Sequence, residues 1–184
     1  MSKKELYLLD MFSMCCPATE YAEAFEKAII VGADIDPTQM SADICVFCPA
    51  YIPQKELNQF ADMISFSYQL SGGVRLTAKY PADQLNKLQW QEIAALFTAA
   101  DSMNIASLAG AEWTWEGNKL TIQLRANGKA LLEECAPRVC RLLKEQFSTD
   151  VEIEIVAGQD LEGQALFDAM EAMRTQMINT MPKA

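Results

Sequence analysis

Apolar and polar positions write out one ordered unit between residues 111 and 155, and a looser version of the same order between 28 and 80. In the later unit Gly117-Asn118 is a two-residue turn signal, because both residues tolerate the positive φ that closes primed hairpin turns. Pairing outward from it sets Glu116 against Lys119, Trp115 against Leu120, Thr114 against Thr121, Trp113 against Ile122 and Ala111 against Leu124. The large apolar residues then share one face, and Thr114, Thr121, Gln123, Glu112 and Arg125 the other. A slip of one residue would turn both tryptophans to water, so the register is firmly specified. After Asn127-Gly128 the residues Leu131, Leu132, Cys135, Val139, Leu142, Leu143 and Phe147 fall at helical spacing. Pro137 interrupts that stripe. Since proline suits a first helical position better than an interior one, the pattern predicts two short helices, 128 to 135 and 137 to 147. Val151, Ile153 and Ile155 then alternate with acids as a strand.

Upstream, Ile29, Val31, Ala33 and Ile35 alternate along a strand, Asp36-Pro37-Thr38-Gln39 reads as a turn, and 44 to 48 as a second strand. Pro53 starts a helix with the stripe Leu57, Phe60, Ala61, Ile64 and Tyr68, which Gly72-Gly73 is expected to end in a left-handed cap. Val74, Leu76, Ala78 and Tyr80 close the unit as a strand. Helical sequence precedes each unit: 5 to 14 and 20 to 27 before the first, and Ile93, Leu96, Phe97, Ala100 and Met103 before the second. The chain is therefore expected to be α+β, with the order α-ββ-α-β about twice. The polar stretch from Pro81 to Lys87 divides it into modules 1–80 and 81–184. At the carboxy end Leu166, Met170, Met173 and Met177 make a stripe that predicts an amphipathic helix over 160–179. Such a stripe packs into a core or, methionine being adaptable, docks a partner.

With 51% apolar residues the chain can fill a core, and no apolar run is long enough to cross a bilayer. The amino terminus carries no signal-peptide core, so a cytoplasmic protein is expected. With six cysteines and no histidine, a zinc site would have to be all-thiolate or use carboxylates, and the spacing weakens that reading. Cys45 and Cys48 are three apart on a strand and so face opposite ways, Cys135 and Cys140 straddle a proline, and the adjacent Cys15 and Cys16 point apart. Buried, reduced thiols are the plain reading, with a Cys45/Cys48 redox pair the sharper one. Glycine-rich phosphate loops and GxSxG elbows are absent, and without histidine the commonest general base is missing. No catalytic, cofactor or metal residue is assigned. Glu152 and Glu154 share a strand face that could hold a divalent ion, but a solvated polar face is the simpler account.

Nucleic-acid binding is the stronger rival, because α-ββ-αα-β is the order of a type II KH domain, which clamps a single strand with a GxxG loop between its helices. Here that junction reads Glu133-Glu134-Cys135-Ala136-Pro137, and no GxxG occurs. The balance of 25 acids against 15 bases, a net charge of −10, also disfavours phosphate. The local exception is Lys119, Arg125, Lys129, Arg138, Arg141 and Lys144, of which the last three recur at helical spacing. This basic stripe could be a solvated face, meet an acidic protein or touch nucleic acid.

The stretch from Ser41 through Glu162 resembles the amino-terminal region of PolC-type DNA polymerase III, a Gram-positive replicative polymerase. The resemblance rests on Val46-Phe47-Cys48-Pro49-Ala50-Tyr51-Ile52-Pro53, on Ala109-Gly110-Ala111-Glu112-Trp113, on Glu116-Gly117-Asn118-Lys119-Leu120-Thr121-Ile122 and on the passage from Leu142 to Ile155. It implies two small domains, the first similar to the carboxy-terminal domain of the clamp-loader tau subunit and the second KH-like. It further implies a non-catalytic front end that holds replisome proteins such as the clamp loader, or the polymerase's own downstream domains. The polymerase and exonuclease carboxylates of that family would lie outside this chain. The alternatives are a degenerate KH-like single-strand binder and a thiol protein using Cys45 and Cys48.

Overall fold

The computed structural model describes residues 4–158 and 170–176. In chain order, α1 (Leu8–Met11) and α2 (Ala22–Glu26) lead into β1 (Ile29–Asp36), β2 (Ser41–Phe47), α3 (Gln54–Ser67) and β3 (Gly73–Lys79). A 3₁₀ turn at Ala82–Lys87 then leads to α4 (Trp90–Ala100), α5 (Asn104–Ser107), β4 (Glu112–Glu116), β5 (Lys119–Gln123), α6 (Lys129–Phe147) and β6 (Glu152–Val156). The fold is mixed α and β with two small three-stranded sheets. Both sheets have the same wiring: an antiparallel hairpin, then a helical crossover to a third strand parallel to the second.

The hairpin register matches the sequence pattern from Glu112↔Gln123 to Glu116↔Lys119. Only Gly117 of the turn takes positive φ, at 62°, the geometry with glycine first of the two central residues. In the first turn, Asp36 Oδ1 accepts the N–H groups of Thr38 and Gln39 at 2.8 and 3.1 Å, a local bond that holds the corner between β1 and β2.

Several elements differ from the pattern. In place of two helices broken at Pro137, α6 is continuous, with the proline inside it. Leu132, Ala136, Val139, Leu143 and Phe147 are all buried on one side, while Pro137 and Glu133, whose carbonyl loses its N–H donor, face solvent. Burying the whole stripe outweighs the interior proline, whose missing N–H falls on the exposed side of the helix. Gly72-Gly73 does not end α3. The left-handed residue is Gln69, at φ 56°, and Leu70 N–H to Ser65 O at 2.9 Å with Gln69 N–H to Phe66 O at 3.3 Å form a Schellman cap. Gly72 is instead demanded by space, since a Cβ there would meet Gln39 O at 2.2 Å.

The two leading helices are only four and five residues long, and Pro17, before which helical geometry is disfavoured, lies between them. Met103 lies past the end of α4 and is exposed, its N–H held by Asp101 Oδ1 at 2.9 Å. In β1 the alternation gives no buried face: the pairing with β2 shifts between Ile30 and Gly32, leaving Val31 in a bulge, and both Val31 and Ile35 are more than half exposed.

One buried cluster runs from Leu8 and Phe25 through Ile44, Val46 and Tyr80 to Phe97, Leu120, Leu143 and Phe147, and so spans both sheets. The stretch after β3 joins this packing: Leu85 is buried in the 3₁₀ turn and Tyr80 N–H donates to Gln146 O at 2.8 Å. Tyr80 stacks on Phe147 with ring centroids 5.3 Å apart. Among the described residues no helix is long and apolar enough to cross a membrane.

Candidate functional site

A half-buried polar constellation lies where the amino ends of α3 and α4 meet. Pro53 precedes α3 and offers no capping side chain, so the first N–H of that helix, Gln54, needs an acceptor. Glu92, in the first turn of α4, supplies one: its Oε1 accepts Gln54 N–H and its Oε2 accepts the Tyr51 hydroxyl. A carboxylate on a helix amino terminus also complements the helix dipole. Desolvation raises the Glu92 carboxyl above its ordinary value of 4.5, and the N–H groups of Gln54 and Gln89 pull it back in part. Behind it, Gln84 Oε1 accepts Tyr51 N–H at 3.0 Å and the Tyr80 hydroxyl donates to Ile52 O at 2.7 Å. Burial lifts the Tyr80 hydroxyl well above its usual range, which keeps it a neutral donor. Beside this joint runs a groove of about 820 Å³ between α3 and α4, floored by Leu88 and Leu96 and walled by amides such as Gln59 and Gln91.

The basic stripe is largely spent inside the chain. Lys119 pairs with Glu154 at 2.5 Å, Arg125 with Glu112 at 2.5 Å, Lys129 with Glu133 at 3.6 Å and Lys144 with Asp150 at 2.6 Å. The Lys119 ammonium holds the Glu154 carboxyl below its ordinary value, and the pair lies on the exposed face beside Glu152. Arg138 and Arg141 are exposed on α6 and make no ion pair among the described residues. Of the docking stripe, Met170 and Met173 lie in helical sequence at 170–176 and are 63% and 64% exposed, while Leu166 and Met177 fall outside the described residues.

Cys45 lies in β2 and is half-buried, and Cys48 follows directly on the strand's end. Cys48 is fully buried and burial pushes its thiol up to about 12, which makes it a poor nucleophile at neutral pH. Trp113 lies on the apolar face of β4 and stacks on Trp90 with centroids 4.7 Å apart, yet stays 41% exposed. Among the described residues no group of three or more potential metal ligands comes together.

No protein-family model matches the chain, and no curated protein matches it. The Glu92 joint is the feature that sequence pattern misses. Glu92 stands three after Gln89, the spacing at which a helix glutamate reaches back to its own first turn, but Gln89 is not a capping residue type. Its reach to another helix, 38 positions away in the chain, leaves no local mark.

Proposed function

We propose that this chain is the non-catalytic amino-terminal part of a PolC-type DNA polymerase III, and that it holds a replication protein such as the clamp loader, or the polymerase's own downstream domains. The passages that resemble that family fall on β2 and the entry to α3, on the β4–β5 hairpin and on the α6–β6 return. The finer fold reading, a tau-like first module and a type II KH-like second, belongs to the same proposal; the repeated hairpin–helix–strand wiring supports it, while the single α6 departs from the two helices of the KH order. The role implies a cytoplasmic protein.

The observation that carries a protein partner over nucleic acid is the unbroken course of α6. A KH domain grips a strand with the loop between two helices, and here Glu133 to Pro137 lie in mid-helix with no loop to close on a backbone. Four of the six nearby cations are, in addition, already beside carboxylates. Surface plasmon resonance of the immobilised chain against the purified clamp loader, helicase, single-strand binding protein and remaining polymerase of the same cell tests the proposal. Saturable binding to one of them supports it; silence from all four overturns it.

A degenerate KH-like single-strand binder is the second reading, favoured by the exposed pair Arg138 and Arg141. A labelled single strand that binds with a steep salt dependence, lost on Arg138→Glu with Arg141→Glu, would place it first.

A further inference from the structure

Strand β1 stands at one end of its sheet, and its outer edge is covered only at the start. Tyr7 bridges to Ile29 and Ile30 N–H donates to Leu6 O at 2.8 Å; from Val31 to Asp36 no described strand pairs on that side. Alternate residues of such an edge turn their N–H and C=O groups outward, so the edge is a template for another strand. The side chains beside it are unusual for a solvent edge: Val31 is 56% and Ile35 55% exposed. Ala33 and Ile35 sit opposite Ile44 and Ala42, on the face of the sheet that is buried further in.

The open face carries a charge row with one end missing. Across the three strands Asp34 lies opposite Asp43, and Asp43 pairs with Arg75 at 3.7 Å. Two carboxylates directly opposite each other repel, and Asp34 makes no ion pair among the described residues. A cation on a fourth strand would complete the row as plus, minus, minus, plus. Room exists for its stem, since Gly32 leaves a shallow hollow of about 410 Å³ bordered by Asp34, Asp43, Cys45 and Thr77. A second copy of β1 would set its own Asp34 and Asp36 close to these carboxylates, and nucleic acid would set phosphate there, so like charge disfavours both.

We propose that the outer edge of β1 from Val31 to Asp36 takes up an extended segment of a partner protein as a fourth strand, with lysine or arginine beside Asp34 and branched apolar residues beside Ala33 and Ile35. The proposal rests on the protein-interaction reading and names the chemistry of the partner. The test titrates the whole chain, labelled with nitrogen-15, with a short capped peptide of alternating valine and lysine, and with its valine–glutamate counterpart. The lysine peptide shifts the amide signals of residues 31 to 36 and protects them from exchange, and the glutamate peptide does not. Asp34→Ala weakens lysine-peptide binding by a few-fold, and Asp34→Lys reverses the preference between the peptides by about fivefold in each direction.

No shift at 31 to 36 with millimolar peptide, indifference to both Asp34 variants, the same shifts from a single-stranded oligonucleotide, or a concentration-dependent dimer through this edge would each overturn the idea. Replisome binding by Asp34→Lys separates the two readings. If that binding persists unchanged, the edge proposal fails while the interaction role stands; if the peptide docks but no replication protein binds, the edge stands and the polymerase role falls.

Discussion

Glu92 does at the scale of one residue what no motif announces: it accepts hydrogen bonds from a helix start and a tyrosine that belong to the other half of the chain. Truncating it leaves the Tyr51 hydroxyl and the Gln54 N–H without their acceptor, so Glu92→Ala is expected to cost ~1–3 kcal/mol in urea unfolding. Its titration has a definite sign. Because desolvation raises the folded value above the ordinary 4.5, the native chain binds a proton, as pH falls, before the unfolded chain does. This group therefore favours the fold more at mildly acidic than at neutral pH. As pH falls from neutral toward the ordinary 4.5, the stability of the native chain should rise relative to Glu92→Gln. A gap that does not change with pH would show that the carboxyl is not perturbed. Gly128 is the second residue with a clear demand: φ is 123°, and a Cβ would meet Ser107 Oγ at 1.9 Å. Gly128→Ala should destabilise by ~1–3 kcal/mol, read from the denaturant midpoint. That glycine's place before α6 is visible in the Asn127-Gly128 signal, whereas its contact with Ser107 is a matter of packing.

Among the elements, α6 separates local preference from tertiary demand. The apolar stripe from Leu132 to Phe147 is plain in the sequence, and so is Pro137, but which of the two prevails depends on the surface the stripe meets. In an interior position Pro137→Ala restores an N–H for the Glu133 carbonyl and should stabilise the chain by ~1–3 kcal/mol, offset in part by a freer unfolded chain. Had the proline opened a second helix, the same change would be neutral or harmful, so the sign of the shift in thermal midpoint decides. The β4–β5 register was legible because its turn and its alternation agree. The end of α3 was not, because a Schellman cap on Gln69 uses a residue with no special preference for positive φ, while the obvious glycines serve the close pass by Gln39. For β1 the alternation was visible and its exposure was not, since burial requires a neighbour and the strand has one only on its inner side along most of its length.

At the scale of the whole molecule, the two sheets share one buried cluster, joined by Tyr80 on Phe147 and by the Glu92 bonds. Tryptophan emission, which reports only on positions 90, 113 and 115, and far-ultraviolet circular dichroism, which reports on every helix and strand, should therefore trace one coincident urea transition. Two separated transitions would mean that the halves unfold independently. The positions proposed for contact came from the sequence unevenly. The bases from Lys119 to Lys144 were countable in advance, but their pairing with Glu154, Glu112, Glu133 and Asp150 depends on which strands and turns lie side by side. What the sequence determined by itself is whatever follows from neighbours in the chain: the twofold α-ββ-α-β order, the hairpin register and the apolar face of each helix, because periodicity and turn chemistry act over a few residues. What only the tertiary structure decided is the fate of Pro137, the capping of α3 by Glu92, the spending of the basic stripe and the bare edge of β1. Each of those depends on which distant surface arrives to bury, pair or leave open a given group, and no local pattern carries that information.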